Sequence, residues 1–175
     1  FDCDPGLDDA IALMVLVSRP DVFSLHGITA VAGNQTCDKT YLNARRLAAY
    51  LGLDVPVARG AERPLRRTPL TAGDIHGEDG LAGMRAGNAF LPGDPRPAVE
   101  FLRDSLLNLD EPAVIIATGP LTNIAELFER YPAVRNRIDH LTIMGGSLSG
   151  GNVTPYAEFN FCADPDAARA VLSSG

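Results

Sequence analysis

"AVIIATGPLTNIAELFERY", residues 113–131, places an unbroken apolar run before a glycine-containing turn and then a segment with apolar residues at helical spacing. A short run rich in Val and Ile, bounded by turn residues, is the pattern of a strand buried on both faces, and a helix directly after it makes half of a βαβ unit. The same alternation continues on either side. Downstream, "HLTIMGG" (140–146) reads as a strand and "DPDAARAVLSS" (164–174) as a helix with Asp164 as its cap. Upstream lie a helix at 97–109, a strand at 55–60, an amphipathic helix at 38–52 closed by Gly52, a strand at 23–34, and a helix over 7–18 with Pro20 as stop signal.

This order predicts a single α/β domain over residues 1–175, a mostly parallel, Rossmann-like sheet with helices on both faces. Such sheets bind ligands beyond the carboxyl ends of their strands. The strands end in "DCDPGLDD", "AGNQT", "ATGPLTN" and "MGGSLSGGN". Residues 61–96 carry repeated Gly and Pro with no convincing period, the mark of a functional or mobile connection.

Composition narrows the partners. A 46% hydrophobic and 21% charged chain of 175 residues is globular, and no apolar stretch has the length a bilayer requires. A formal net charge of -7 argues against a nucleic-acid backbone or an anionic membrane and leaves small molecules or ions. Three cysteines without C-x-x-C spacing oppose a disulfide framework or zinc site and suit a reducing cytoplasm. The first residue is Phe1 rather than Met, and the expectation is the N-terminal part of a longer domain.

The opening turn sets the chemical question. Asp8 and Asp9 suit the positive end of a helix, worth about 0.3–1 kcal/mol each. Asp2 and Asp4 do not, since like charges at ~4 Å repel by about 4 kcal/mol at an effective dielectric of 20. No Lys or Arg occurs in residues 1–18, so a hard divalent cation is the economical counter-charge, and a many-carboxylate cage favours Ca²⁺ over Mg²⁺. An EF-hand does not fit, because its twelfth position would be Leu13. The strand-end Asp-x-Asp of haloacid-dehalogenase-like phosphatases fits Asp2 and Asp4 but leaves Asp8 and Asp9 unexplained; it is the alternative.

Taken together, "DCDPGLDDA", "AVAGNQT", "PLTAGDIHGEDG", "ATGPLTNIA", "IMGG" and "GNVTPYAEFNFCADPDAA" resemble, in one order, the motifs of the nucleoside hydrolases, the inosine–uridine-preferring N-ribohydrolases. The resemblance implies a bound Ca²⁺ with Asp4, Asp9 and the Thr118 carbonyl as ligands, Asp4 also as general base, and Asp2 as support from behind. It implies a nucleoside substrate whose ribose is held by Asp8, Asn34, Asn152, Glu158 and Asn160 above Met144, with His76 near the nucleobase on a mobile flap. It also implies a homodimer or homotetramer, and a C-terminal portion supplying a further Asp to the ion and a His near the base.

Read without the resemblance, Asn34 and Asn152 beside glycine are turn residues, Met144 is core and His76 a loop residue. Glu158 and Asn160, two apart, fall on one side of an extended segment. Thr122 and Asn123 are read as helix caps, and Cys3 and Cys162 as inert thiols. Besides hydrolysis by water attack at the N-ribosidic bond, a non-catalytic calcium- or nucleoside-binding domain stays open. The base-contacting loops fall in the irregular segment, so neither purine nor pyrimidine is singled out.

Overall fold

A computed structural model describes residues 1–174. Five parallel strands, β1 (Asp2–Cys3), β2 (Ile28–Ala30), β3 (Val57–Arg59), β4 (Ala113–Ala117) and β5 (Ile138–Ile143), form one sheet in the order β3-β2-β1-β4-β5. From β1 the chain steps outward through β2 to β3. It then crosses back to β4 and continues to β5 on the other side. The order therefore reverses between β1 and β4, the place where open α/β sheets leave a crevice.

Helices α1 (Leu7–Ser18) and α2 (Cys37–Tyr50) cover one face, where Ala10, Leu13, Ala44 and Leu47 pack on Cys3, Ile28, Ala30 and Val57. The remaining helices are α3 (Gly73–His76), α4 (Ala98–Asn108), α5 (Thr122–Arg130), α6 (Phe159–Ala163) and α7 (Pro165–Leu172). Of these, α4, α5 and α7 cover the opposite face, packing Phe101, Ile124, Leu127 and Val171 on Ala58, Ile115 and Ala117. Leu13, Ile28, Leu47, Ile124 and Leu127 are each 2% exposed or less, and each such burial contributes about 1.5–3 kcal/mol.

The sequence reading of helices on both faces holds, with one difference in detail. Val114 of β4 is 52% exposed, and its neighbours in β5, His140 and Thr142, face solvent on the same side. The face carrying α1 and α2 is thus bare over β4 and β5. Strands are also shorter than the apolar runs: of residues 23–34 only Ile28–Ala30 forms a strand, pairing with β1 and β3.

Candidate active site at the crevice between β1 and β4

The chain leaves β1 through Asp4, Pro5 and Gly6 and enters α1 without a spacer, so the carboxylates of Asp4 and Asp9 are carried into the crevice by a strand end and a helix start. Asp4 is 1% exposed and Asp9 2%. Gly6 is the N-cap of α1, and Asp9, at the third helical position, reaches back so that its Oδ2 accepts the Gly6 N–H at 2.8 Å. Its Oδ1 accepts the Thr118 hydroxyl from the end of β4. Asp4 Oδ2 accepts the Asn34 N–H at 2.7 Å, while the Asn34 side-chain amide donates to the Asp4 carbonyl (3.0 Å) and to Asp9 Oδ2 (3.3 Å).

Asp4 Oδ1 is buried without a hydrogen-bond partner. It lies in a cradle of two glycines: a Cβ on Gly33 would fall 2.1 Å from Asp4 Oδ2, and one on Gly119 would fall 2.7 Å from Asp4 Oδ1. Those strand-end glycines are needed for backbone to approach a carboxylate this closely.

Asp2 lies behind this pair. It is fully buried, with Oδ1 accepting from the Thr29 hydroxyl and from Asn123 Nδ2 at 2.7 Å, and Oδ2 unpartnered. Asn123 also donates to the Ala30 carbonyl (3.2 Å) and accepts the Ala61 N–H (2.9 Å), so one amide ties the ends of β1 and β2 to the segment after β3. The capping role read for Thr122 and Asn123 is corrected here. The cap of α5 is Leu121, and the Thr122 hydroxyl donates to Asp164 at 2.7 Å.

On the β5 side, Asn160 Nδ2 donates to the carbonyls of Thr118 (2.8 Å) and Met144 (2.9 Å). Glu158 and Asn160 are not on an extended segment, as their spacing suggested. Glu158 caps α6, its carboxylate accepting the N–H groups of Asn160 (2.9 Å), Phe161 (3.2 Å) and Gly146 (2.9 Å), and Asn160 is inside the helix. A carboxylate followed by free amides satisfies them best by starting a turn. Asn152 accepts the Phe159 N–H at 2.9 Å.

Asp2, Asp4, Asp9, Asn34, Thr118, Met144, Glu158 and Asn160 therefore form one connected network. Asp8 is exposed in the first turn of α1, Asn152 is exposed, and Met144 is 47% exposed, so these three stand at the rim. His76 ends the one-turn α3, where its Nδ1 comes so near Gly6 that an added Cβ would fall 2.6 Å away.

The electrostatics disfavour bare negative charge on this turn. Burial pushes the Asp2 and Asp9 carboxyls up to about 6, and burial followed by the charge of Asp9 pushes Asp4 well above the usual carboxylate range. Among the described residues, no ion pair reaches Asp2, Asp4, Asp8 or Asp9. Nor do three His, Cys, Asp or Glu side chains converge as a metal cluster among them. A cation held here would draw on two carboxylates, a backbone carbonyl and water. That all-oxygen set, with one carboxylate oxygen orphaned, fits a hard ion. The Cys3 thiol is pushed well up by burial, which suits an inert core residue.

Thr29, Asn123 and the Thr118 hydroxyl escaped sequence reasoning. For Asn123, its place four residues before Leu127, on the apolar face of α5, was the available signal.

Comparison with known proteins matches the whole chain, residues 1–175, to the family model described as inosine-uridine preferring nucleoside hydrolase. The chain belongs to this family. It is similar to the pyrimidine-specific ribonucleoside hydrolase RihB of Escherichia coli, at 44% identity over 175 residues, and to RihA of an Enterobacter species, at 45% over 176 residues. Each match covers 100% of this chain and 56% of the relative, so the chain spans little more than half their length. Among solved structures, a plant nucleoside hydrolase superimposes with a TM-score of 0.92 at 31% identity, covering 99% of this chain and 56% of that one. A purine-preferring ribonucleoside hydrolase from Gardnerella vaginalis gives 0.92 at 30%, with the same coverage. Among the described residues of this nucleoside hydrolase chain, no helix is long and apolar enough to cross a membrane.

Proposed function

We propose that the crevice between β1 and β4 binds a ribonucleoside and hydrolyses its N-ribosidic bond to free base and ribose, with Ca²⁺ as cofactor. The observation that carries this reading is the buried Asp4–Asp9 pair, which has no protein counter-charge among the described residues and one unpartnered oxygen at the mouth of the sheet. The carboxylates of Asp4 and Asp9 and the carbonyl of Thr118 would hold the ion. When bound, it supplies positive charge that neutralises the pair and acidifies water beside it.

Hydrolysis of a glycosidic bond passes through a state with positive charge on the sugar, so carboxylates around the ribose favour it. Asp4 Oδ1, free of hydrogen bonds, is placed to take the proton of the attacking water. Asp8, exposed at the rim, and Asn152 are placed to meet ribose hydroxyls. Asn160 and Glu158 act chiefly on the wall: one pins two strand-end carbonyls and the other pins the turn at Gly146. A wall held this firmly orients the ring for attack.

The higher identity to relatives named pyrimidine-specific favours a pyrimidine nucleoside. The phosphatase reading needs the first Asp of its pair as nucleophile, and here Asp2 is fully buried behind Thr29 and Asn123. We infer that the protein assembles as a homodimer or homotetramer, which light scattering would measure. The reading is tested with a panel of purine and pyrimidine nucleosides, scored for free base, ribose and phosphate, with and without chelator. Calcium-dependent release of base by the wild type and its loss in Asp4→Ala are expected. Undiminished turnover in Asp4→Ala would refute the role given to Asp4, and binding without release would favour the non-catalytic reading.

A further inference from the structure

The segment that carries His76 is fastened to Gln35, just before α2, and to Lys39 and Asn43 on α2. Gln35 Nε2 donates to the Gly77 carbonyl at 2.9 Å, Lys39 Nζ to the Glu78 carbonyl at 2.5 Å, and Asn43 Nδ2 to the Asp79 carbonyl at 2.7 Å. Lys39 and Asn43 are about one helical turn apart on α2, Gln35 lies four residues before Lys39, and the acceptors are consecutive carbonyls. Gln35 is 7% exposed and Asn43 2%, both on the covered side of the row. The segment closes on itself as well: the Ala82 N–H donates to the His76 carbonyl (2.7 Å), and the Leu81 N–H to Asp79 Oδ1 (2.9 Å). Leu81, 3% exposed, then packs into the core beside α1 and α2.

Gln35 is the neighbour of Asn34, whose amide holds Asp4 and Asp9 and whose carbonyl accepts the Ala72 N–H at the start of α3 (3.1 Å). Two adjacent residues thus bind the acidic pair and the His76 segment to the same strand end.

We propose that Gln35, Lys39 and Asn43 are positioning residues that latch residues 76–80 onto the start of α2, keeping His76 against Gly6 as a wall of the nucleoside pocket. The inference rests on the functional reading above for its ligand. The latch itself stands on the contacts alone. An ordered wall spares the bound complex the ordering of a loop, so its loss appears in substrate affinity before it appears in turnover.

Hydrogen exchange and nucleoside binding are measured on wild type, Asn43→Ala, Lys39→Met and Lys39→Arg. In Asn43→Ala and Lys39→Met, exchange at the amides of residues 80–82 should quicken about tenfold, the effect of one lost hydrogen bond, while amides of β4 stay unchanged. KM should rise with kcat within about twofold, and Lys39→Arg should restore both. Exchange that stays at the wild-type rate in both loosening variants overturns the latch. So does an exchange increase that leaves KM untouched. Lys39 is partly exposed, so Lys39→Met decides the matter should Asn43→Ala lose its fold. A wild-type chain that neither binds nor cleaves any nucleoside overturns the functional reading and the ligand half of this inference, while the exchange rates still decide the latch.

Discussion

Removing calcium and raising the pH should destabilise the protein together. Asp2 and Asp9 ordinarily titrate near 3.8, and in the folded chain burial lifts both to about 6. A group whose folded value is raised lends stability below its unfolded value and loses it as pH climbs through the folded one. The loss therefore runs between pH 4 and 7. A shift of about two units in one group corresponds to about 3 kcal/mol. For a domain of this size that is a fall in Tm of about 6–12 °C. Asp4, raised further by burial and by Asp9, adds to the fall in the same direction.

Asp94 and Asp104 act oppositely, since Arg96 and Arg103 respectively lower them, but their stabilisation fades only below their ordinary value and so outside this window. Thermal melts at pH 4.5, 6 and 7.5 in chelator should show Tm decreasing with pH. Adding Ca²⁺ at a hundred times its Kd contributes about 2.7 kcal/mol at pH 7.5 and far less at pH 4.5, where protons hold the ligands. A chelated protein whose Tm is level or rising from pH 4.5 to 7.5, or a calcium shift equal at both ends, would refute the assignment of this turn as a cation site.

Asn123→Ala removes two donated hydrogen bonds and one accepted bond at a fully buried position, so urea denaturation should show a loss of about 3–5 kcal/mol; a loss under ~1 kcal/mol contradicts the bridging role. Asp4→Asn should stabilise the chelated protein at pH 7.5 by about 1–3 kcal/mol, by discharging a buried group, while abolishing the calcium-induced rise in Tm seen by calorimetry. Gly33→Ala drives a methyl into Asp4 Oδ2 and Pro120 and should lower kcat/KM by about 10²-fold in a base-release assay. Leu13→Ala, at a 2% exposed position of α1 facing the sheet, should cost about 2–5 kcal/mol in denaturation while leaving the calcium response in place.

The parallel architecture was legible because Val114, Ile115 and Ile116 follow one another without a polar break and because apolar residues recur at helical spacing in the segments between strands, as Ala44, Leu47 and Ala48 do in α2. The acidic turn was legible from charge alone, since residues 1–18 hold four Asp and no Lys or Arg before the helix ends. Glu158 was misread since a spacing of two carries no sign of whether a carboxylate will cap the next turn. Asn123 was misread for a related reason, as helix-start amides usually serve their own helix, whereas this one reaches across to Asp2 and Ala61. The α2 row was invisible because Lys39 and Asn43 look like an ordinary polar helix face until their carbonyl partners are brought near by the fold.

The acidic turn precedes its partners in the chain by most of the sequence, and its contacts are among the longest-range in the molecule. Asp9 waits for Thr118, 109 positions on, and Asp2 for Asn123, 121 positions on. During synthesis at a ribosome, the carboxylates emerge early and stay hydrated and independent until β4 docks beside β1. If the turn holds a cation as proposed, its capture would follow β4 docking, a non-local step that long loop closure slows.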